Sequence, residues 1–266
     1  MKSPDLSSVG LSEDEKERYL RQILIFGSEG QESLKKSHVF IAGCGGLGSP
    51  IALYLAAAGV GTLTLVDQDT VVLSNLNRQI LHWSADIGRA KVRSGEEKLR
   101  CLNPEISTHA IHDSITYESL PVLAKGADII VDAVDSMETR LILNSYSVRF
   151  KVPFVHGAVH GLKGQMMVIM PDETACLQCL VHRPIRYPVV PVLGVTAGII
   201  GLMEANEVIK LITGTGRVQA GRLVLWDGEQ GTVDNLKVRR DPFCPVCKRS
   251  ESSDRSSQEI HGNHFS

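Results

Sequence analysis

The feature that most constrains the fold is Gly43-Cys44-Gly45-Gly46-Leu47-Gly48, set between the short apolar run Val39-Phe40-Ile41-Ala42 and the alanine-rich stretch 51–58. A chain that leaves a strand and enters a helix at once must let its backbone approach itself closely, and glycines spaced G-x-G-x-x-G allow this. Gly59 stands where a helix C′ residue belongs, and Thr62-Leu63-Thr64-Leu65-Val66 comes next as a second strand ending at Asp67. Together these segments spell a βαβ unit. The alternation continues, with helices predicted near 91–102, 117–125 and 138–150 and strands near 106–111, 128–131 and 153–155. The predicted class is α/β: a Rossmann-like, doubly wound, mostly parallel sheet with helices on both faces. Residues 165–170 and 223–226 are not separated by regular βα units, so they are expected to extend the sheet antiparallel. Between them, 196–212 reads as a long apolar helix with small residues, suited to a buried or subunit-contacting position.

A length of 266 residues can bury one large core. The formal charge of −2, evenly spread, gives no long basic stripe and argues against a nucleic-acid partner. Residues 1–14 are polar and acidic without an apolar signal core, and no apolar run is long enough to span a bilayer. A soluble, cytoplasmic protein with no membrane partner is expected. Ser12-Glu13-Asp14-Glu15 has the form of a capping box and opens an amphipathic helix through Tyr19, Leu20 and Ile23.

The glycines Gly43, Gly45, Gly46 and Gly48 would let backbone N–H groups approach a phosphate at a helix N-terminus. Asp67, closing the second strand, is placed to accept hydrogen bonds from ribose hydroxyls. The same pattern also fits a glycine turn that only packs helix on sheet, with Asp67 capping a loop. The residues beyond Asp67 point to a triphosphate: Asp69, Asn75, Asn77, Arg78, Gln79 and Lys91 crowd one segment, whereas hydride transfer needs only an apolar nicotinamide slot. No G-x-x-x-x-G-K-[ST] grips a γ-phosphate, which leaves the α-phosphate open to attack. Arg78 and Lys91 would neutralise the charge that develops there. Asp135, beyond the strand at 128–131, is placed to hold Mg²⁺ at the carboxyl edge of the sheet, with Asp132 as the competing carboxylate.

Arg18-Tyr19-Leu20-Arg21-Gln22, the glycine loop, Leu65-Val66-Asp67-Gln68-Asp69, Leu73-Ser74-Asn75-Leu76-Asn77-Arg78-Gln79, Gly88-Arg89-Ala90-Lys91 and Asp132-Ala133-Val134-Asp135 resemble, in order, the ThiF/MoeB/HesA family, bacterial relatives of ubiquitin-activating enzymes. The resemblance implies that Asp67 holds the ribose of ATP, that Asn75, Arg78 and Lys91 contact its phosphates, and that Asp135 organises Mg²⁺. It also implies a homodimer in which Arg21 reaches the partner's triphosphate. Ser136 departs from the Asn that often comes after the aspartate in the family. The implied partner is a ubiquitin-like sulfur-carrier protein ending in Gly-Gly, serving molybdopterin or thiamin synthesis. The reaction would be adenylation of its C-terminal carboxylate, which needs no general base because the group is already ionised. The chain ends without a sulfurtransferase domain, so an external sulfurtransferase or desulfurase is expected to supply sulfur. Residues 1–37 would form a helical segment for dimer and active-site contacts, 38–247 the adenylation domain, and 248–266 a disordered tail.

Cys176, Cys179, Cys244 and Cys247 form two C-x-x-C pairs, which in a cytosolic chain fit a tetrahedral structural Zn²⁺ with no open position for catalytic water. His156 and His160 have no cysteine or carboxylate near them in sequence and are read as non-catalytic. Cys44 and Cys101 are read as packing residues, Glu204 and Glu207 as a solvated or interface face, and Met166, Met167 and Met170 as core filling. No cysteine lies in 180–194, where relatives that form a covalent carrier conjugate keep one, so the reaction is expected to stop at the adenylate. Two other readings compete: a family branch that dehydrates threonylcarbamoyladenosine in transfer RNA, which the two cysteine knuckles fit less well, and a nicotinamide-dependent oxidoreductase.

Overall fold

Residues 10–181 and 191–248 are described in the computed structural model of the chain. The expectations for 182–190 and for the tail at 249–266 lie outside them. Helix α1 (Glu13–Lys36) starts where the capping box requires: the Glu15 N–H donates to Ser12 Oγ at 3.1 Å, and the Glu15 carboxylate accepts from the Ser12 N–H at 2.7 Å. It kinks at Gly27 (φ 74°), which lets a single helix bury Tyr19, Ile23 and Leu34 along a curved path.

Strand β1 (His38–Ala42), helix α2 (Gly48–Ala58) and β2 (Thr62–Val66) form the βαβ unit, with α2 stopped by left-handed Gly59. Helix α3 (Lys91–Leu102) and β3 (Ser107–Ile111) come next, then the single turn α4 (Leu120–Leu123), β4 (Ile129–Asp132), α5 (Met137–Phe150), β5 (Phe154–His160), β6 (Lys163–Ile169), α6 (Gly194–Thr213), β7 (Arg222–Asp227) and β8 (Thr232–Lys237). The eight strands lie in the order β3-β2-β1-β4-β5-β6-β7-β8, parallel from β3 to β5 and antiparallel from β5 to β8. The order reverses beside β1, so the loops after β1 and β4 diverge there and open a crevice at the carboxyl edge.

Alternation along the strands supplies both cores. Val39 and Ile41 of β1 face a cluster with α2, α3 and α6, whereas Phe40 and Ala42 face one with α4, α5 and the cysteine knuckles. Met166 and Met167 are buried on opposite faces of β6, and Met170 packs against the first cluster, as core filling requires. No helix among the described residues is long and apolar enough to cross a membrane.

Three elements differ from the sequence expectation. The helix expected at 117–125 shrinks to one turn, because apolar Leu120 is its one buried side chain. Strand β5 runs on past 155 to His160 because β6 returns against its whole length. Strand β8 carries only exposed side chains, so no burial pattern marks it; its backbone pairing with β7 defines it.

Helix α6 lies directly on β5 and β6 because small residues face it. A Cβ at Gly164 would stand 2.3 Å from Ile200 Cγ1. Gly164→Ala is therefore expected to destabilise the fold by about 1–3 kcal/mol in urea unfolding, through overpacking of this layer.

Candidate functional site

The crevice between β1 and β4 is built by backbone meeting backbone. Gly43 has φ 97°, and a Cβ on it would lie 2.6 Å from the Ala133 carbonyl oxygen; one on Gly48 would lie 2.0 Å from the carbonyl oxygen of Gly43. The loop is then pinned at Cys44 from two sides. Its N–H donates to Asp67 Oδ2 at 2.8 Å, and its carbonyl meets His82 Nε2 at 2.9 Å. Asp67 Oδ1 also accepts the Asp69 N–H at 2.8 Å, yet each carboxylate oxygen keeps a second lone pair for a hydroxyl.

Behind His82 runs a buried chain that sequence reading missed, because its members lie on separate elements. His82 Nδ1 meets Ser94 Oγ at 2.9 Å, Lys98 Nζ donates to the same hydroxyl at 2.8 Å, and Lys98 is ion-paired with Asp86. Burial would raise the Asp86 pKa, but Lys98, the Trp83 N–H and Ser94 outweigh it and bring the value down to about 2. Burial of the ring lowers the pKa of His82, so it is neutral at pH 7.

The cations sit beside this loop. Lys91, its side chain 7% exposed, pairs with Asp69 at 2.7 Å, and Asp69 itself is mostly exposed. Arg78 Nη1 donates to Ser74 O and Asn77 Oδ1, both at 2.9 Å, while a Cβ on Gly46 would touch the Arg78 stem at 3.6 Å. Asn75 is buried and accepts the Val72 N–H at 3.3 Å. Gln79 is buried near Gly45, with its Oε1 unpaired among the described residues. Asp135 is exposed, whereas Asp132 is fully buried. Arg21 is exposed on α1 and makes no hydrogen bond with the described residues of this set. An open cavity of about 520 Å³ lies elsewhere, lined by His38, Arg93, Arg100 and His109 among others, and shares no residue with the set.

His156, with no carboxylate near it in sequence, meets one across the sheet: its Nδ1 lies 2.6 Å from Asp132 Oδ2. Two expectations need correction. Glu204 and Glu207 form neither a solvated nor an interface face. Both are buried: Glu207 pairs with Lys210 and accepts the Gln219 N–H, and Glu204 lies against Gly157 of β5. Burial and the nearby Asp132 hold the Glu204 pKa well above the usual carboxylate range. Cys101 is exposed, not packed. Cys44 is buried as expected, and burial together with Asp67 pushes its thiol pKa well up, which makes it a poor nucleophile.

The four remaining cysteines converge on the opposite face. Their sulfurs all lie within 4.8 Å of one another, and the contacts cross between knuckles: Cys176 to Cys244 at 3.6 Å and Cys179 to Cys247 at 3.4 Å. Thiolates ~2.3 Å from one tetrahedral zinc stand ~3.8 Å apart, so the cluster fits that ion. The Asp241 N–H points at Cys179 Sγ at 3.4 Å, and Arg240 ties the second knuckle to Thr174 O at 2.8 Å.

The sequence matches the ThiF family over residues 19–246, and the chain belongs to that family. It is 41% identical over 249 residues to the adenylyltransferase and sulfurtransferase MOCS3 of Anopheles gambiae, covering 90% of this chain and 56% of that protein. It is 41% identical to the sulfur carrier protein ThiS adenylyltransferase of Escherichia coli, with 88% of this chain and 96% of that one covered. The SAMP-activating enzyme E1 of Haloferax volcanii is 37% identical, over 90% of this chain and 92% of its own. The chain thus spans little more than half the length of its MOCS3 relatives. Among solved structures, E. coli MccB with AMPCPP and MccA superposes with a TM-score of 0.79 at 26% identity, covering 86% of this chain and 74% of the other.

Two outcomes are expected. Asp86→Asn should destabilise the protein by about 2 kcal/mol at pH 7 in urea unfolding. The native pKa is depressed, so this stabilisation is present above the ordinary value of 3.8 and is lost as pH falls through 2; the gap between variant and wild type should narrow below pH 4. Metal analysis should find one zinc per chain, and Cys244→Ser should lose metal and stability together, because thiolate ligation is coupled to folding.

Proposed function

We propose that the chain uses ATP to adenylate the C-terminal carboxylate of a ubiquitin-like sulfur-carrier protein. The observation that carries this reading is the convergence of the glycine loop, Asp67, Arg78 and nearly buried Lys91 on one crevice in a ThiF-family chain. Asp67 is suited to the ribose. Lys91, held by one exposed carboxylate, and the Nε–Nη2 edge of Arg78, unused among the described residues, are suited to phosphate oxygens. Asn75 and Gln79 supply amides beside them.

A carboxylate oxygen of the carrier attacks the α-phosphorus and the bond to the β-phosphate oxygen breaks, giving acyl-adenylate and pyrophosphate. The attacking group is already ionised, so catalysis consists of orientation and of charge stabilisation by Arg78 and Lys91. Asp135 is the residue to hold Mg²⁺, which would supply further neutralisation of the triphosphate; its exposure favours it over Asp132, which is buried and fully engaged. The relatives that act on ThiS and on SAMP suggest a carrier of that type, for which a Gly-Gly end would thread to the nucleotide.

The homodimer belongs to the same reading. Leu20, Leu24 and Ile25 of α1 and Leu73, Ile80 and Trp83 of the loop after β2 are exposed apolar side chains that a second copy would cover, and Arg21 rides on the same helix. Residues 1–37 then act as the contact segment and 38–247 as the adenylation domain.

Carrier-dependent exchange of labelled pyrophosphate into ATP tests the reading. Exchange should occur with the wild type and fall by ~100-fold or more in Arg78→Ala and in Asp135→Ala. Wild-type exchange in both variants would overturn the assignment of these residues.

A further inference from the structure

Asp132 ends β4 with no exposed surface, and a carboxylate buried so deeply is held only by partners on every side. Its Oδ2 faces Arg140 Nε at 3.3 Å and His156 Nδ1 at 2.6 Å, and its Oδ1 accepts the Val134 N–H at 3.1 Å. Arg140, from the first turn of α5, also donates from Nη2 to the Val134 carbonyl at 2.6 Å. Both backbone polar groups of Val134 are thus taken by side chains. The peptide planes on either side of Val134 are fixed, and the next residue is Asp135. On its far side Asp135 meets Ser136, which caps α5 by accepting the Thr139 N–H at 3.4 Å. On the near side, Ala133 N–H donates to Ala42 O at 2.8 Å, which seats the turn beside the glycine loop.

His156 completes the arrangement from β5. With Nδ1–H turned to Asp132, its Nε2 is left as an acceptor for Gln165 Nε2 at 3.3 Å, so the ring is oriented at both nitrogens.

We propose that Arg140 and His156 are positioning residues that act through Asp132 to set the 133–135 turn, preorganising the Asp135 carboxylate for the divalent cation of the nucleotide. This rests on the assignment of Asp135 to that cation. Partners behind a metal ligand commonly contribute 10- to 100-fold in metal affinity, and these stand one residue behind it.

The test is direct binding of Mn²⁺, measured by electron paramagnetic resonance, to the full chain loaded with a non-hydrolysable ATP analogue. Arg140→Lys keeps the charge beside Asp132 but cannot also reach the Val134 carbonyl. It should weaken Mn²⁺ binding ~10-fold and raise the Mg²⁺ concentration for half-maximal pyrophosphate exchange equally, with the rate at saturating Mg²⁺ within a few-fold of wild type. His156→Gln, which retains a donor for Asp132, should shift both in the same direction by ~3-fold. A purely structural role would lower the melting temperature without moving metal affinity. Asp135→Ala with wild-type Mn²⁺ affinity would remove the assignment of Asp135, and the proposal with it. Weakened binding in Asp135→Ala beside wild-type affinity in Arg140→Lys would overturn the clamp alone. Hydrogen exchange on the unaltered protein gives a reading free of any folding defect: the Val134 amide should be protected before nucleotide or metal is added, and protection appearing only with them would overturn the proposal.

Discussion

Where β1 ends, main chain touches main chain, and no side chain can stand between. Gly43 and Gly48 face each other and the Ala133 carbonyl at distances that exclude a Cβ, so the crevice owes its shape to missing atoms. Such proximity leaves polar backbone groups that must find partners, and the fold answers in the same way on both walls. On the β1 side, Asp67 takes the N–H of Cys44 and His82 its carbonyl. On the β4 side, Asp132 takes the N–H of Val134 and Arg140 its carbonyl. Each loop is held at one residue by two side chains from other elements.

Rigidity at these two points suits a reaction in which protein groups bind charge and do not exchange protons. The histidines nearest the crevice, His82 and His156, have pKa values lowered by burial, with Asp132 pulling the latter partly back. Both serve as neutral hydrogen-bonding struts. Under the proposed function, Lys91, Arg78 and Asp135 are the groups that meet the triphosphate. Preorganised charge of this kind needs little rearrangement when a triphosphate arrives.

What was legible in the sequence was whatever repeats at short range. The βαβ unit, the capping box at Ser12, the strand at 62–66 and the helix at 91–102 arise from local periodicity and punctuation, and the structure has them at those residues. The two C-x-x-C pairs were legible because a knuckle is itself local. What stayed hidden depends on pairing across the sheet. His156 looked isolated because its carboxylate lies on the neighbouring strand, in register with it. Glu204 and Glu207 looked like a solvated face because helical spacing says nothing of what lies above the helix. Strand β8 has no apolar side to announce it. The Asp86–Lys98–Ser94–His82 chain joins residues that no motif groups together.

The cysteine cluster closes a circuit. Contacts between residues 68 apart in sequence join the ends of a segment that contains α6, β7 and β8, so that segment is tethered at both ends away from the glycine loop. A tether of this length would remove a large share of the unfolded chain's freedom, and were zinc its knot, the closure would be an ion and not a covalent bond. An ion exchanges with its surroundings. Its contribution to stability would rise and fall with the logarithm of free zinc, as for any ligand that binds only the folded state. The same cysteines pack in one core with Phe40 and Ala42 of β1, so a response to zinc supply would reach the parallel strands as well as the antiparallel ones.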